Sequence, residues 1–189
     1  MVRPRRDSGI VPAKQRLEDA FWAMLAEMPF ANFTIEAICK RAQVSHNSLY
    51  YYYSNLDQMA SVLLEDNLVP ELPRMVLNGF VDGRLYADLL LGDPLLVMRF
   101  RRVCLLVGNN AAPWMREQLT RSITALWLAS IDTDPAHPDP RLGAHLAFIL
   151  GGVMAILGDP DLGDPAQLIT WIAHDFGPAI RSVLNSPQP

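Results

Sequence analysis

The 189-residue sequence predicts an all-α protein of about nine helices. Three observations carry that expectation. Apolar residues recur at spacings of three and four through most of the chain, the period of a helix with one buried face. Thr, Ser and Asn stand just ahead of several of these stretches, where a side-chain oxygen can satisfy the free N–H groups of a helix start. In the second half Leu-Gly-Asp-Pro occurs three times, beginning at Leu91, Leu157 and Leu162. It reads as a helix end, a left-handed glycine, an Asp cap and a proline in the first helical position.

Residues 1–11 carry Arg3, Arg5 and Arg6 and read as a loose arm, suited either to phosphates and a minor groove or to remaining a solvated tail. From Pro12 to Met28, Leu17, Ala20, Phe21, Met24, Leu25 and Met28 share one helical face, with Pro12 suited to the first turn and Pro29 ending the helix. Thr34 then caps a short helix whose apolar face is Ile35, Ile38, Cys39 and Ala42. Phe33 before that cap and Ile38 at the fourth helical position can form a hydrophobic staple. Glu36 adds a negative charge near the positive helix end.

The device repeats at once. Ser45 caps a helix from His46, with Val44 before the cap and Leu49 at the fourth position. Two stapled helices joined by Gln43 to Ser45 have the form of a helix-turn-helix, its back covered by the first helix. With Leu49 inward, steps of about 100° return Tyr53 to the core. The free side carries His46, Asn47, Ser48, Tyr50, Tyr51 and Tyr52. These offer donors, acceptors and flat aromatic surface to phosphates and base edges in a major groove. Four consecutive tyrosines favour a strand by propensity alone, and the caps on both sides oppose it. Asn55, with Gln58 three places on, caps a fourth helix.

The stretch VSHNSLYYYYSNLDQM resembles the signature of the tetracycline-repressor (TetR) family, with its Val-Ser turn, its Leu-Tyr pair, an aromatic two or three places later and a polar cap opening a long fourth helix. The resemblance implies core roles for Leu49 and Tyr53 and DNA contacts from His46, Asn47, Ser48, Tyr50, Tyr51 and Tyr52, with Thr34, Lys40 and Ser45 in the same DNA-facing set. Gln43 departs from the usual Gly, and Leu56 from a frequent Lys, which removes one expected phosphate contact. The implied architecture is a three-helix DNA-binding domain over residues 1–54 and a helical effector-binding and dimerisation domain over residues 55–189, the fourth helix transmitting movement between them. The implied function is a ligand-responsive one-component transcriptional regulator, by expectation a cytoplasmic repressor without cofactor, binding a palindromic operator as a homodimer. A helical interaction or small-molecule-binding protein of the same fold, without specific DNA binding, is the alternative; the absence of Lys or Arg on the recognition helix favours it.

In the body the fourth helix runs from Leu56 through Met59, Val62, Leu63 and Leu64 toward Val69, and Pro70 and Pro73 end or kink it. Further helices are expected near residues 82–91, 94–108, 113–130, 140–157 and 165–185, with a proline-rich loop from Ile131 to Asp139. Gly143, Ala147, Gly151 and Ala155 fall every four residues and form a ridge of small side chains. A mid-helix glycine costs about 1 kcal/mol relative to alanine. Close approach of a second copy across a two-fold axis would offset that, as would close packing within one subunit. Phe80, Met98, Phe100, Arg102, Cys104, Asn109, Trp114, Met115 and Trp127, with Asn110, are the candidate pocket for a small apolar or aromatic effector.

Charge is uneven. Residues 1–56 hold seven Lys or Arg and five Asp or Glu, a net of +2; the remainder hold nine and fifteen, a net of −6, giving −4 in all. An acidic body is compatible with nucleic acid, because the local patch decides. Cys39 and Cys104 form no disulfide framework and have no metal-ligand spacing. No secretory signal follows MVRPRR, and the apolar run Leu146 to Leu157 is too short to span a bilayer. Asp159, Asp161 and Asp164 lack the ligand order of a calcium loop. Asp175-Phe176-Gly177 stands without the other kinase motifs, and no catalytic signature occurs, so no enzyme and no metal site is expected.

Overall fold

The computed structural model describes residues 11–68, 70–82, 91–130 and 139–184. Among them the chain is helical, with no strand. Helix α1 is Ala13–Glu27, α2 Ile35–Ala42, α3 His46–Tyr52, α4 Leu56–Asn67 and α5 Glu71–Asp82. Helix α6 is Pro94–Val107, α7 Pro113–Ser130 and α8 Pro140–Gly158. The last, α9, runs through Pro165–Trp171, a π-helical stretch Ile172–Phe176 and Gly177–Leu184.

Local chemistry sets the boundaries. Thr34, Ser45 and Asn55 accept from the N–H groups of Ala37, Ser48 and Gln58 and so cap α2, α3 and α4. Gln58 has capping-box spacing from Asn55, yet its Oε1 accepts from the Ser54 N–H, one residue earlier. Asp93 and Asp164 cap α6 and α9 with proline following, and Gln167 completes a capping box with Asp164.

The Leu-Gly-Asp-Pro phrase works differently at its three sites. Of its glycines, Gly163 alone has a positive φ, +150°. Asp159 heads no helix; its Oδ1 accepts from the Asp161 N–H in a turn. Gly158 is the last residue of α8, pressed against α6, where a Cβ would stand 2.4 Å from the Val107 carbonyl oxygen.

The core runs continuously from head to body. Phe21, Leu25, Phe30, Phe33, Ile38, Leu49 and Tyr53 close the α1–α3 unit; Leu64, Leu77, Phe80, Met115, Trp127, Leu150 and Leu168 fill the body. Helix α4 stops at Asn67, ahead of Pro70, as expected, and a helix not expected from the sequence, α5, starts at Glu71. Pro73 sits in its first turn, where a missing N–H breaks no helical bond. The helix expected near 82–91 and the loop Ile131 to Asp139 lie almost wholly outside the described residues. The apolar run expected to be too short for a bilayer belongs to α8, whose 19 residues with hydropathy 1.6 reach spanning length by composition alone. Leu146, Ile149, Leu150, Met154 and Leu157 of that helix are buried in the core, as in a core helix of a globular domain.

Candidate nucleic-acid interface

Helix α3 is held from behind and free in front. Leu49 is fully buried, and the buried Tyr53 donates its hydroxyl to Glu18 Oε1 at 3.1 Å. Desolvation, then the Glu18 charge, pushes the Tyr53 phenol well above its ordinary pKa. On the other side Tyr51 is 80% exposed, with Tyr50 and Tyr52 exposed beside it, and the Tyr51 and Tyr52 rings meet edge to face at 4.8 Å. His46 and Asn47 are exposed at the helix start. Three hydroxyls in the expected DNA-facing set are engaged in the fold: Thr34 caps α2, and Ser45 caps α3 while pairing with the Ser48 hydroxyl at 3.0 Å.

The turn between α2 and α3 is unusual. Gln43 adopts a left-handed conformation, φ 54°, a region that favours glycine. Its carbonyl accepts from Arg16 of α1 at 3.0 Å, which ties the turn to the supporting helix.

Cations in the head are mostly engaged. Arg41 pairs with Glu27, which holds the Glu27 carboxyl below its usual range, and Lys14 pairs with Glu18 at 3.4 Å. Of the described head cations, Lys40 alone, exposed on α2, makes neither an ion pair nor a side-chain hydrogen bond.

Behind the head, α4, α5, α6, α7, α8 and α9 line a half-open cavity of about 150 Å³. Phe80, Phe100 and Trp127 line it as expected from sequence, joined by Asn67, Val76 and Ile172. Seven residues expected there, Asn110 included, do not line it. Met98 and Arg102 stand two residues either side of Phe100, about 200° around α6. Arg102 therefore points at the head, its guanidinium carbon 4.9 Å from the Trp22 ring centroid. Trp114 packs edge-on against Phe30 at 6.3 Å, and Met115 is fully buried in the core. Cys104 and Asn109 line a second, separate hollow beside Gly108 and Gly158. Burial raises the Cys104 thiol to about 11. Asn110 is committed to the head, its side chain donating to the Leu25 carbonyl.

Among the described residues nothing packs on Gly143 or Gly151 of the small-residue ridge of α8. Ala147, Gly151 and Ala155 are exposed, and a Cβ at Gly143 or Gly151 would meet no atom within 4 Å. Phe148 beside them is 75% exposed. Among the described residues no three His, Cys, Asp or Glu side chains cluster as metal ligands.

No curated protein and no solved structure matches the chain. Residues 19–62 match the family model described as bacterial regulatory proteins, tetR family. That span begins in α1, crosses the helix-turn-helix and its left-handed turn, and ends within α4, so it covers the elements that present the tyrosine face. Residues 19–62 thus form a helix-turn-helix segment similar to that of bacterial regulatory proteins of the tetR family.

Proposed function

We propose that this protein is a ligand-responsive repressor that binds a palindromic operator as a homodimer. In this reading residues 1–54 are the reading head and residues 55–189 the effector-binding and dimerising body. Tyr50, Tyr51, Tyr52, His46 and Asn47 contact the operator, assisted by Ser48, Lys40 and the backbone around the Thr34 and Ser45 caps. Two protomers meet through the exposed ridge of α8 and Phe148, which places two recognition helices in successive major grooves, about one helical turn apart.

One observation supports this reading above the others. Helix α4 opens at its Asn55 cap, immediately behind the recognition helix, and closes at Asn67, a wall residue of the body cavity. A small apolar effector that binds one placement of α4 more tightly than another therefore biases the placement of the head.

Anisotropy with DNA flanking the protein's own gene, in excess nonspecific competitor and across a salt series, tests it. The expected result is saturable binding of two protomers per site that weakens as salt rises. Specific binding absent at every salt concentration would sink the regulator reading. It would favour instead a helical interaction protein, the reading supported by a recognition helix that carries no Lys or Arg.

A further inference from the structure

The hydroxyls beside the reading face of α3 are used by the fold. Ser45 Oγ accepts the Ser48 N–H at 3.2 Å and pairs with Ser48 Oγ at 3.0 Å, and Thr34 caps α2. No Arg or Lys stands on α3, and the described arginines of the head are engaged, Arg16 with the Gln43 carbonyl and Arg41 with Glu27. The commonest specific contact to guanine, a two-pronged bond from Arg or Lys to O6 and N7, therefore has no donor on this helix.

His46, Asn47 and the tyrosines remain. His46 and Asn47 are exposed, and neither side chain makes a hydrogen bond among the described residues. The two nitrogens of an imidazole face apart, so His46 makes one bond to a given base edge. The Asn47 amide presents an acceptor and a donor side by side, the match for adenine N6 and N7.

Tyr51 stands four residues on, on the same side of α3 and about 6 Å along its axis. It is 80% exposed, yet its ring is propped: it meets Tyr52 edge to face at 4.8 Å, and Tyr52 leans on the buried Tyr53 at 6.4 Å. In a major groove the apolar partner open to such a ring is the C5-methyl of thymine.

Resting on the reading of α3 as the operator-reading helix, we infer that each half-site is read at A·T pairs: Asn47 takes an adenine by paired hydrogen bonds, and Tyr51 takes the methyl of a nearby thymine. The two side chains lie about 6 Å apart along the helix and base pairs stack about 3.4 Å apart, so the two bases fall within about two base pairs of each other. Asn47 and Tyr51 are then the specificity-determining pair.

Selection of duplexes from a randomised double-stranded DNA library by the full-length protein tests this without knowledge of the operator. The enriched sites are expected to be two-fold symmetric, with an A·T pair fixed in each half and a thymine close by. Asn47→Ala should weaken binding to such a site about tenfold or more and erase the preference at the fixed adenine. An adenine analogue with carbon in place of N7 should weaken the native protein and leave Asn47→Ala unaffected. Uracil in place of the thymine should weaken the native protein and leave Tyr51→Ala unaffected. Both side chains are exposed, so each variant should keep its melting temperature. A consensus fixed at G·C pairs, or an A·T consensus that Asn47→Ala leaves unchanged, would overturn the assignment while the regulator reading stood. No enriched site at all would overturn both.

Discussion

Asn110, in the loop between α6 and α7, donates its side-chain amide to the carbonyl of Leu25 at 3.0 Å, and its own carbonyl accepts the Phe30 N–H at 2.8 Å. A body residue thereby satisfies one of the last carbonyls of α1 and the first N–H of the turn after it, groups that the head cannot satisfy alone. Asn110→Ala is expected to lower stability in urea by about 1–2 kcal/mol, because the Leu25 carbonyl loses its donor. It should also reduce the factor by which effector weakens operator binding. An unchanged factor would show that coupling runs through α4 alone.

Tyr51→Ala should weaken operator binding by about 1 kcal/mol or more with melting temperature and dimer unchanged, since its ring touches no core residue. Leu49→Ala, two residues away, should instead destabilise the fold by about 2–5 kcal/mol. Lys40→Ala should reduce the slope of log affinity against log salt by about 1, because that ammonium is unengaged within the described head. Anisotropy and thermal melts separate the three variants.

Two glycines of α8 should respond oppositely. Gly151→Leu fills open space on the outer ridge, so subunit stability should hold while sedimentation shows a larger monomer fraction. Gly158→Ala sets a methyl against the Val107 carbonyl and should cost about 1–3 kcal/mol of stability. An intact dimer in Gly151→Leu would move the subunit contact elsewhere.

Gln43→Gly should stabilise the head by about 1 kcal/mol, since glycine meets no Cβ penalty in the left-handed region. Gln43→Val should destabilise it. Thermal denaturation of both variants measures the strain held in the turn.

Tyr53 keeps its proton in the folded state at pH values where the unfolded phenol has lost it. Its folded pKa is raised, so its contribution is fully present below the unfolded value of about 10 and is lost as pH rises through the window above it. Melting temperature should therefore fall on going above about pH 10. Tyr53→Phe should flatten that alkaline slope, although it loses the bond to Glu18. An unchanged slope would assign the effect to other groups.

Much of the head is legible in the sequence because its determinants are local. Thr34, Ser45 and Asn55 cap the helices that they precede, each through an N–H three residues on, and this follows from the spacing alone. Helix α5 escaped because two prolines mark a break by residue type, whereas their effect depends on position within a turn. The cavity wall escaped for a different reason. Which side of α6 faces inward depends on six helices packing together, and periodicity gives the stripe without its bearing. Arg102 and Phe100 therefore look equivalent in sequence and point to opposite sides in the fold. Asn67 was missed because a polar residue closing an amphipathic helix reads as exposed, and its burial arises only where α6 crosses it.

The π-helical stretch Ile172–Phe176 sets the phase of everything after it. One surplus residue in a helical turn advances the following side chains by about 100°. That phase buries Ile180 and lets Arg181 reach the Phe80 carbonyl at 3.2 Å. Deleting a single residue there would rewind the terminal segment and swing Ile180 off the core. The same deletion would re-aim the exposed side chains that follow. A change of length by one codon would thus re-index the surface that this end of the chain exposes.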